Sequence, residues 1–184
     1  MKRRLSILLI LFGVVMTLVP NGWEIQSAHA QPITVTATPP SGAIYLQNWA
    51  TAKCLTVNST AEGTHTFPYG CAVWANRASF PGQVFHFYEA ATVGYRLQST
   101  YSFLCTTSGP NDFIDQWRCS LSDQLDTIYL GNYGWQIRRK YTNVCYGMSL
   151  QWGTVSQLPC NSTDSRMIWG FKYFDVNGVW RAWP

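Results

Sequence analysis

Gln116-Trp117-Arg118-Cys119 closes a stretch that begins at Cys105, and the chain sets out the same arrangement twice more. Pro68-Tyr69-Gly70-Cys71 follows Cys54, and Gln157-Leu158-Pro159-Cys160 follows Cys145. The paired cysteines are 17, 14 and 15 residues apart in sequence order. First members recur after 51 and 40 residues, second members after 48 and 41. Recurrence at that period marks a unit that cannot bury its apolar face alone and is used three times. Each unit opens on a strand ending in an x-Leu/Ile pattern: Tyr45-Leu46, Arg96-Leu97 and Gln136-Ile137. Each closes on an apolar-x-apolar strand, read as Phe85-His86-Phe87, Ile128-Tyr129-Leu130 and Trp169-Gly170-Phe171. The closing strands start 14, 9 and 9 residues after the second cysteine, so repeat one carries an insertion of five residues around Arg77 to Gly82.

No helical periodicity is sustained after residue 31. Short alternating or apolar runs recur instead, such as Val84-Phe85-His86-Phe87-Tyr88 and Trp135-Gln136-Ile137-Arg138. Turn formers separate them, as in Ala61-Glu62-Gly63, Ser108-Gly109-Pro110-Asn111-Asp112 and Trp152-Gly153. The class is all-β. Four short strands per repeat give twelve, enough to close a small pseudo-threefold barrel with a hairpin cap and so remove open sheet edges.

Lys2, Arg3 and Arg4 precede an apolar run from Leu5 to Val19, and Ala28-His29-Ala30 supplies small residues for processing. This is the layout of a signal peptide over 1–30, too short in its apolar run for a spanning helix. Export places the cysteines where disulfides persist. The expected location is extracellular, or periplasmic in a Gram-negative cell, with no membrane insertion after cleavage. Residues 31–42, rich in Pro and Thr, read as a linker or loosely docked arm. The domain is expected over 43–184, with repeats at about 43–92, 93–132 and 133–174 and a closing tail at 175–184.

Loss of Lys2, Arg3, Arg4 and Glu24 lowers the net charge from +4 to +2, which argues against nucleic acid as a partner. The one basic cluster, Arg138-Arg139-Lys140, reads as a solvated turn or strand end. Few charges beside 9 Trp, 10 Tyr and 9 Phe suit a sugar-binding surface or a disulfide-stapled structural domain equally well.

The order of cysteine, turn, aromatic-x-Cys and Gln-x-aromatic-x-Phe, three times over, resembles the ricin-type β-trefoil lectins. The matching segments are Gln83-Val84-Phe85-His86-Phe87, Gln116-Trp117-Arg118-Cys119 and Met167-Ile168-Trp169-Gly170-Phe171, the last with Met for Gln. Asp126-Thr127-Ile128-Tyr129-Leu130 matches in apolar spacing alone. The resemblance covers about residues 43–174. It implies a β-trefoil of three pseudo-symmetric repeats of four strands. Six cysteines allow 15 connectivities; the resemblance and repeat symmetry favour Cys54–Cys71, Cys105–Cys119 and Cys145–Cys160, one per repeat. It also implies that Phe85 and Trp169 are core residues.

In that family a sugar site uses an acidic residue two after the first cysteine, an aromatic platform two before the second, and often an amide from the Gln-x-Trp segment. The sugar's C–H face stacks on the ring while fixed polar groups read its hydroxyls. Carried over, repeat one offers Thr56, Tyr69 and Gln83; repeat two offers Thr107, Trp117 and Asp126, with Asp112 and Asp115 nearby as substitute carboxylates. Repeat three offers Gly147, Leu158 and Met167, and is expected to be structural. The acidic residue is absent from its place in all three.

An enzyme is not expected. The sequence has no H-E-x-x-H, G-x-S-x-G or phosphate-loop motif, and no C-x-x-C spacing for zinc or redox chemistry. Asp112 and Asp115 share one short turn segment, whereas glycosidase carboxylates flank the scissile bond. No metal or cofactor is implied. Glycans are the expected partners, through sites in repeats one and two. The alternative is a β-trefoil interaction or toxin-targeting subunit that works with a companion protein chain and binds no monosaccharide. The tail from Phe174, with Trp180 and Trp183, reads as a last strand closing against the first repeat.

Overall fold

The computed structural model describes residues 35–72, 81–89 and 94–183. The expected signal peptide, and the expected insertion up to residue 80, lie outside the described residues. A short strand β1 (Val35–Thr36) precedes repeat one. Repeat one holds β2 (Tyr45–Asn48), β3 (Lys53–Thr56), a two-residue β4 (Thr64–His65), β5 (Phe67–Gly70) and β6 (Phe85–Glu89). Repeat two holds β7 (Tyr95–Ser99), β8 (Cys105–Ser108), β9 (Ile114–Trp117) and β10 (Leu125–Gly131). Repeat three holds β11 (Gly134–Arg139), β12 (Val144–Ser149), β13 (Thr154–Pro159) and β14 (Trp169–Phe174), and β15 (Trp180–Ala182) follows.

The first and last strand of each repeat form a closed six-stranded ring. Between repeats, β6 pairs with β7, β10 with β11, and β14 with β2, all antiparallel. Within repeats, single bridges close the gaps: Ile44 to Phe85, Tyr95 to Leu125, and Trp135 to Trp169. The inner hairpins β3–β5, β8–β9 and β12–β13 form the cap. Each carries its own disulfide, Cys54–Cys71, Cys105–Cys119 and Cys145–Cys160, as the repeat symmetry implied. This is the β-trefoil.

The bridges identify equivalent core residues. Phe85, Leu125 and Trp169 occupy one position, and Leu46, Leu97 and Ile137 another; all six are buried. Phe171 stacks on Trp135 at 4.9 Å between ring centroids and meets Phe87 at 5.4 Å. Trp169 is tolerated at full burial because its indole N–H donates to the Tyr146 carbonyl oxygen at 2.9 Å. Burial drives the Tyr146 phenol far above the ordinary tyrosine range, so it stays neutral.

The closing strand of repeat two differs from the sequence reading by three residues. Leu125-Asp126-Thr127, not Ile128-Tyr129-Leu130, stands where Phe85-His86-Phe87 stands in repeat one. A threonine fills the core position that Phe87 and Phe171 take elsewhere, so the apolar-x-apolar pattern is displaced along the strand. The smaller side chain admits the N-terminal arm. The Ala37 amide donates to the Thr127 carbonyl oxygen, the Thr127 hydroxyl donates back to the Ala37 carbonyl oxygen, and β1 pairs with β10. The C-terminal strand β15 pairs with β14 and sets Trp180 against Phe174 and against Tyr45 of repeat one, each at 4.9 Å.

Phe171→Ala, which removes the ring shared by Trp135 and Phe87, is expected to cost about 3–5 kcal/mol. Equilibrium guanidinium unfolding with disulfides intact measures it.

Candidate functional site

In repeat one the β3–β5 hairpin carries Thr56 and Tyr69 toward a cleft of about 260 Å³. Val57, Asn58, Phe67, Pro81 and Gly82 complete it within the repeat, and Tyr101 reaches in from the β7–β8 turn of repeat two. Tyr69 is 50% exposed and Tyr101 37%, so both rings offer surface to a ligand. The Val57 amide donates to the Gly82 carbonyl oxygen at 2.9 Å, tying the two sides together. Thr56 lines the cleft, but its hydroxyl works inward: it donates to the Cys54 carbonyl oxygen and accepts from Gln83 Nε2. Gln83 is fully buried behind the cleft. It also donates to the Gly70 carbonyl oxygen at 2.8 Å and accepts from the Ala72 amide at 2.9 Å. Its role is to hold the second-cysteine strand in place, and it does not face a ligand.

Repeat two is arranged differently. Trp117 is 36% exposed, with one part of its indole against Gly63. Thr107 is buried and accepts from the Asp123 amide; Asp123 itself accepts from the Ser108 amide at 2.7 Å. Asp123 is therefore the counterpart of Gln83, a position the sequence reading gave to Asp126. Asp115 does not offer its carboxylate to a ligand beside Trp117. Its side chain is 2% exposed, it pairs with His65 Nδ1, and a Cβ on Gly109 would fall 2.0 Å from its Oδ2. The pair fastens β4 of repeat one to β9 of repeat two, and the His65 ring also packs on Phe113 at 4.4 Å. Asp112 is exposed and lines a different cleft, between repeats two and three.

In repeat three a Cβ on Gly147 would meet Leu158 Cδ1 at 2.6 Å and Met167 Cγ at 2.9 Å, so those side chains close directly over Gly147. Nearby, Arg166 binds Asp164 through Nε and Nη2, and this guanidinium holds the Asp164 carboxyl below the usual carboxylate range. The basic run at 138–140 is likewise tied down: Arg138 pairs with Asp126 at 2.9 Å and Arg139 with Asp123 at 3.2 Å. Among the described residues no three His, Cys, Asp or Glu side chains converge as metal ligands. No helix of the described residues is long and apolar enough to cross a membrane.

Phe67, Pro81 and Tyr101 were not singled out in the sequence, and Asn58 only as part of the Asn58-Ser59-Thr60 acceptor pattern for glycosylation. Tyr101 sits in another repeat, and no local pattern links it to Tyr69.

No protein-family model and no curated protein matches the sequence. Solved structures match in shape. ThreeFoil, a designed threefold-symmetric protein, aligns at a TM-score of 0.60 and 15% identity, over 70% of this chain and 96% of that one. A Polyporus squamosus lectin, solved with Neu5Aca2-6Galb1-4GlcNAc, aligns at 0.58 and 13% identity, over 75% of this chain and 51% of that one. A Macrolepiota procera ricin B-like lectin, solved with lactose, aligns at 0.55 and 12% identity, over 74% of this chain and 98% of that one. The likeness is one of fold: the chain has the β-trefoil architecture found in ricin B-like lectins.

Because the folded Asp164 carboxyl titrates low, the stabilisation from its ion pair is complete above the ordinary carboxylate range near pH 4. It is lost as pH falls through the lowered value. Arg166→Ala is expected to raise the Asp164 pKa toward the ordinary carboxylate value, the amide of residue 166 still donating to the carboxylate, read by carboxyl-carbon NMR titration.

Proposed function

We propose that this chain is a secreted carbohydrate-binding protein that acts without catalysis. The repeat-one cleft is its principal site, and Trp117 of repeat two is a second, weaker platform. The observation that carries the reading is the convergence of Tyr69 and Tyr101, from different repeats, on one small cleft beside the exposed Asn58. The rings suit the C–H face of a sugar, and Asn58 brings an amide with both donor and acceptor. At about 260 Å³ the cleft falls below the roughly 300–1,000 Å³ of pockets for drug-sized ligands. A single sugar unit fits that space. The lectin structures that share the fold, solved with lactose and with a sialylated trisaccharide, support the class of ligand. The leader layout and the three disulfides support secretion.

The site departs from the family's pattern in having no carboxylate at Thr56, whose hydroxyl is already engaged within the fold. Affinity for one sugar unit therefore rests on stacking and amide contacts, and is expected near 1 mM, about −4 kcal/mol.

A glycan array with oxidised mature protein tests this. Tyr69→Ala is expected to weaken binding by about 2- to 10-fold, the value of one aromatic contact of roughly 0.5–1.5 kcal/mol. Trp117→Ala is expected to cost less, because part of its ring is covered. A blank array from folded protein rejects the lectin reading in favour of a protein-interaction surface with a companion chain.

A further inference from the structure

Beyond the expected processing site, Asn177 is the sole asparagine that a glycine follows. The pair lies in the turn that joins β14 to β15, and both residues are exposed. The Asn177 side chain has no hydrogen-bond partner among the described residues. Gly178 holds left-handed backbone at φ 74°, and a Cβ there would meet nothing within 4 Å. An asparagine side chain has the length that lets the main-chain nitrogen of the next residue reach its carbonyl carbon. Glycine puts no side chain in the way of that approach. One bond restrains it here: the Gly178 amide donates to the Asp175 carbonyl oxygen at 2.9 Å, closing the turn. That nitrogen is released when the turn opens. β15 is three residues long, and short terminal elements open locally well before a fold does.

The rest of the turn hangs on Asp175. Its Oδ1 accepts from the Asn177 and Val179 amides at 2.9 and 2.8 Å, and its Oδ2 accepts from Arg181 Nε at 3.1 Å. The bond from Val179, with those from Arg181 and Asn177, holds the Asp175 carboxyl below the usual carboxylate range. This network fixes the register that pairs Phe174 with Trp180. The Trp180 ring then packs on Tyr45, which is 4% exposed.

We propose that Asn177 is a self-modification site, and that its conversion to isoaspartate opens the β14–β15 hairpin. With the turn open, the Gly178 nitrogen gives its proton to solvent hydroxide and attacks Asn177 Cγ. The new C–N bond closes a succinimide ring, and the side-chain nitrogen leaves as ammonia with a proton from water. Water then hydrolyses the ring. Cleavage of the Cγ–N bond gives aspartate, and cleavage of the bond from the α-carbonyl carbon to nitrogen gives isoaspartate. Isoaspartate routes the main chain through the former side chain, lengthens it by a methylene, and leaves a carboxylate beside that of Asp175. The amides of residues 177 and 179 then no longer both reach Asp175 Oδ1 in their present register. A changed register takes Trp180 off Phe174 and Tyr45. The reaction needs no partner beyond solvent water, and it does not depend on the saccharide reading.

Oxidised mature protein, labelled with nitrogen-15, is held folded in neutral and in mildly alkaline buffer and sampled over days by peptide mapping. Asn177 is expected to gain the mass of an amide turned to an acid, with isoaspartate among the products. Conversion is expected to run faster in the alkaline buffer, because attack needs the deprotonated nitrogen. Asn177→Gln is expected to lose the conversion, since its longer side chain would have to close a larger ring. In the converted protein the Val179 amide is expected to exchange its hydrogen faster and the Trp180 indole signal to shift. Asn177→Gln protein aged alongside is expected to keep both. Absence of conversion in the folded protein overturns the site, and an excised peptide spanning 172–184, run beside it, shows whether the turn's closing bond is the cause. Conversion with unchanged Val179 exchange and an unmoved Trp180 signal overturns the opening of the hairpin.

Discussion

The closing of the barrel ring is the constraint on which the other features depend. Three antiparallel seams join successive repeats, and three single bridges, Ile44 to Phe85, Tyr95 to Leu125 and Trp135 to Trp169, join the ends of each repeat to one another. A ring leaves no open barrel edge, and the side chains on its inner face have nowhere to go but against one another. Phe87, Trp135 and Phe171 meet there, while Thr127, in the place equivalent to Phe87 and Phe171, bonds to Ala37 of the N-terminal arm. Packing at interior density makes those choices mutually dependent.

With the ring fixed, the cap hairpins become available for variation. Their disulfides hold each hairpin regardless of what its exposed side chains do. The three caps have diverged accordingly. Repeat one keeps a cleft with Tyr69, repeat two spends Asp115 on fastening itself to His65, and repeat three puts Leu158 in the place of Tyr69, with Leu158 and Met167 closing over Gly147. Polar residues at matching sequence positions therefore do unlike work: Thr56 and Gln83 form one internal hydrogen-bonded frame, and Thr107 and Asp123 form its counterpart.

The interfaces between repeats carry chemistry that no single repeat contains. Tyr101 completes the cleft of repeat one from repeat two, and Asp112 of repeat two faces the hairpin of repeat three. Both come from turns, where side chains are free of the packing demands of the barrel. The seams join parts of the chain that a repeat-by-repeat comparison keeps apart.

The sequence by itself determined the all-β class and the threefold repeat, while the burial of Phe85 and Trp169 followed from the family resemblance. The class and the repeat rest on local alternation and fixed cysteine spacing, which are written along the chain. The sequence missed the register of β10, because Thr127 interrupts the apolar-x-apolar pattern there. Tyr69 and Trp117 were visible as aromatics at the right spacing, yet spacing says nothing about what covers a ring. Only the tertiary structure decided that Asp115 faces inward, that Asp112 lines a cleft apart from Trp117, and that Tyr101 joins Tyr69. Burial and pairing between repeats depend on residues some 30 to 50 positions apart, as with His65 and Asp115. Such contacts follow from closing the ring and leave no periodic trace in the sequence.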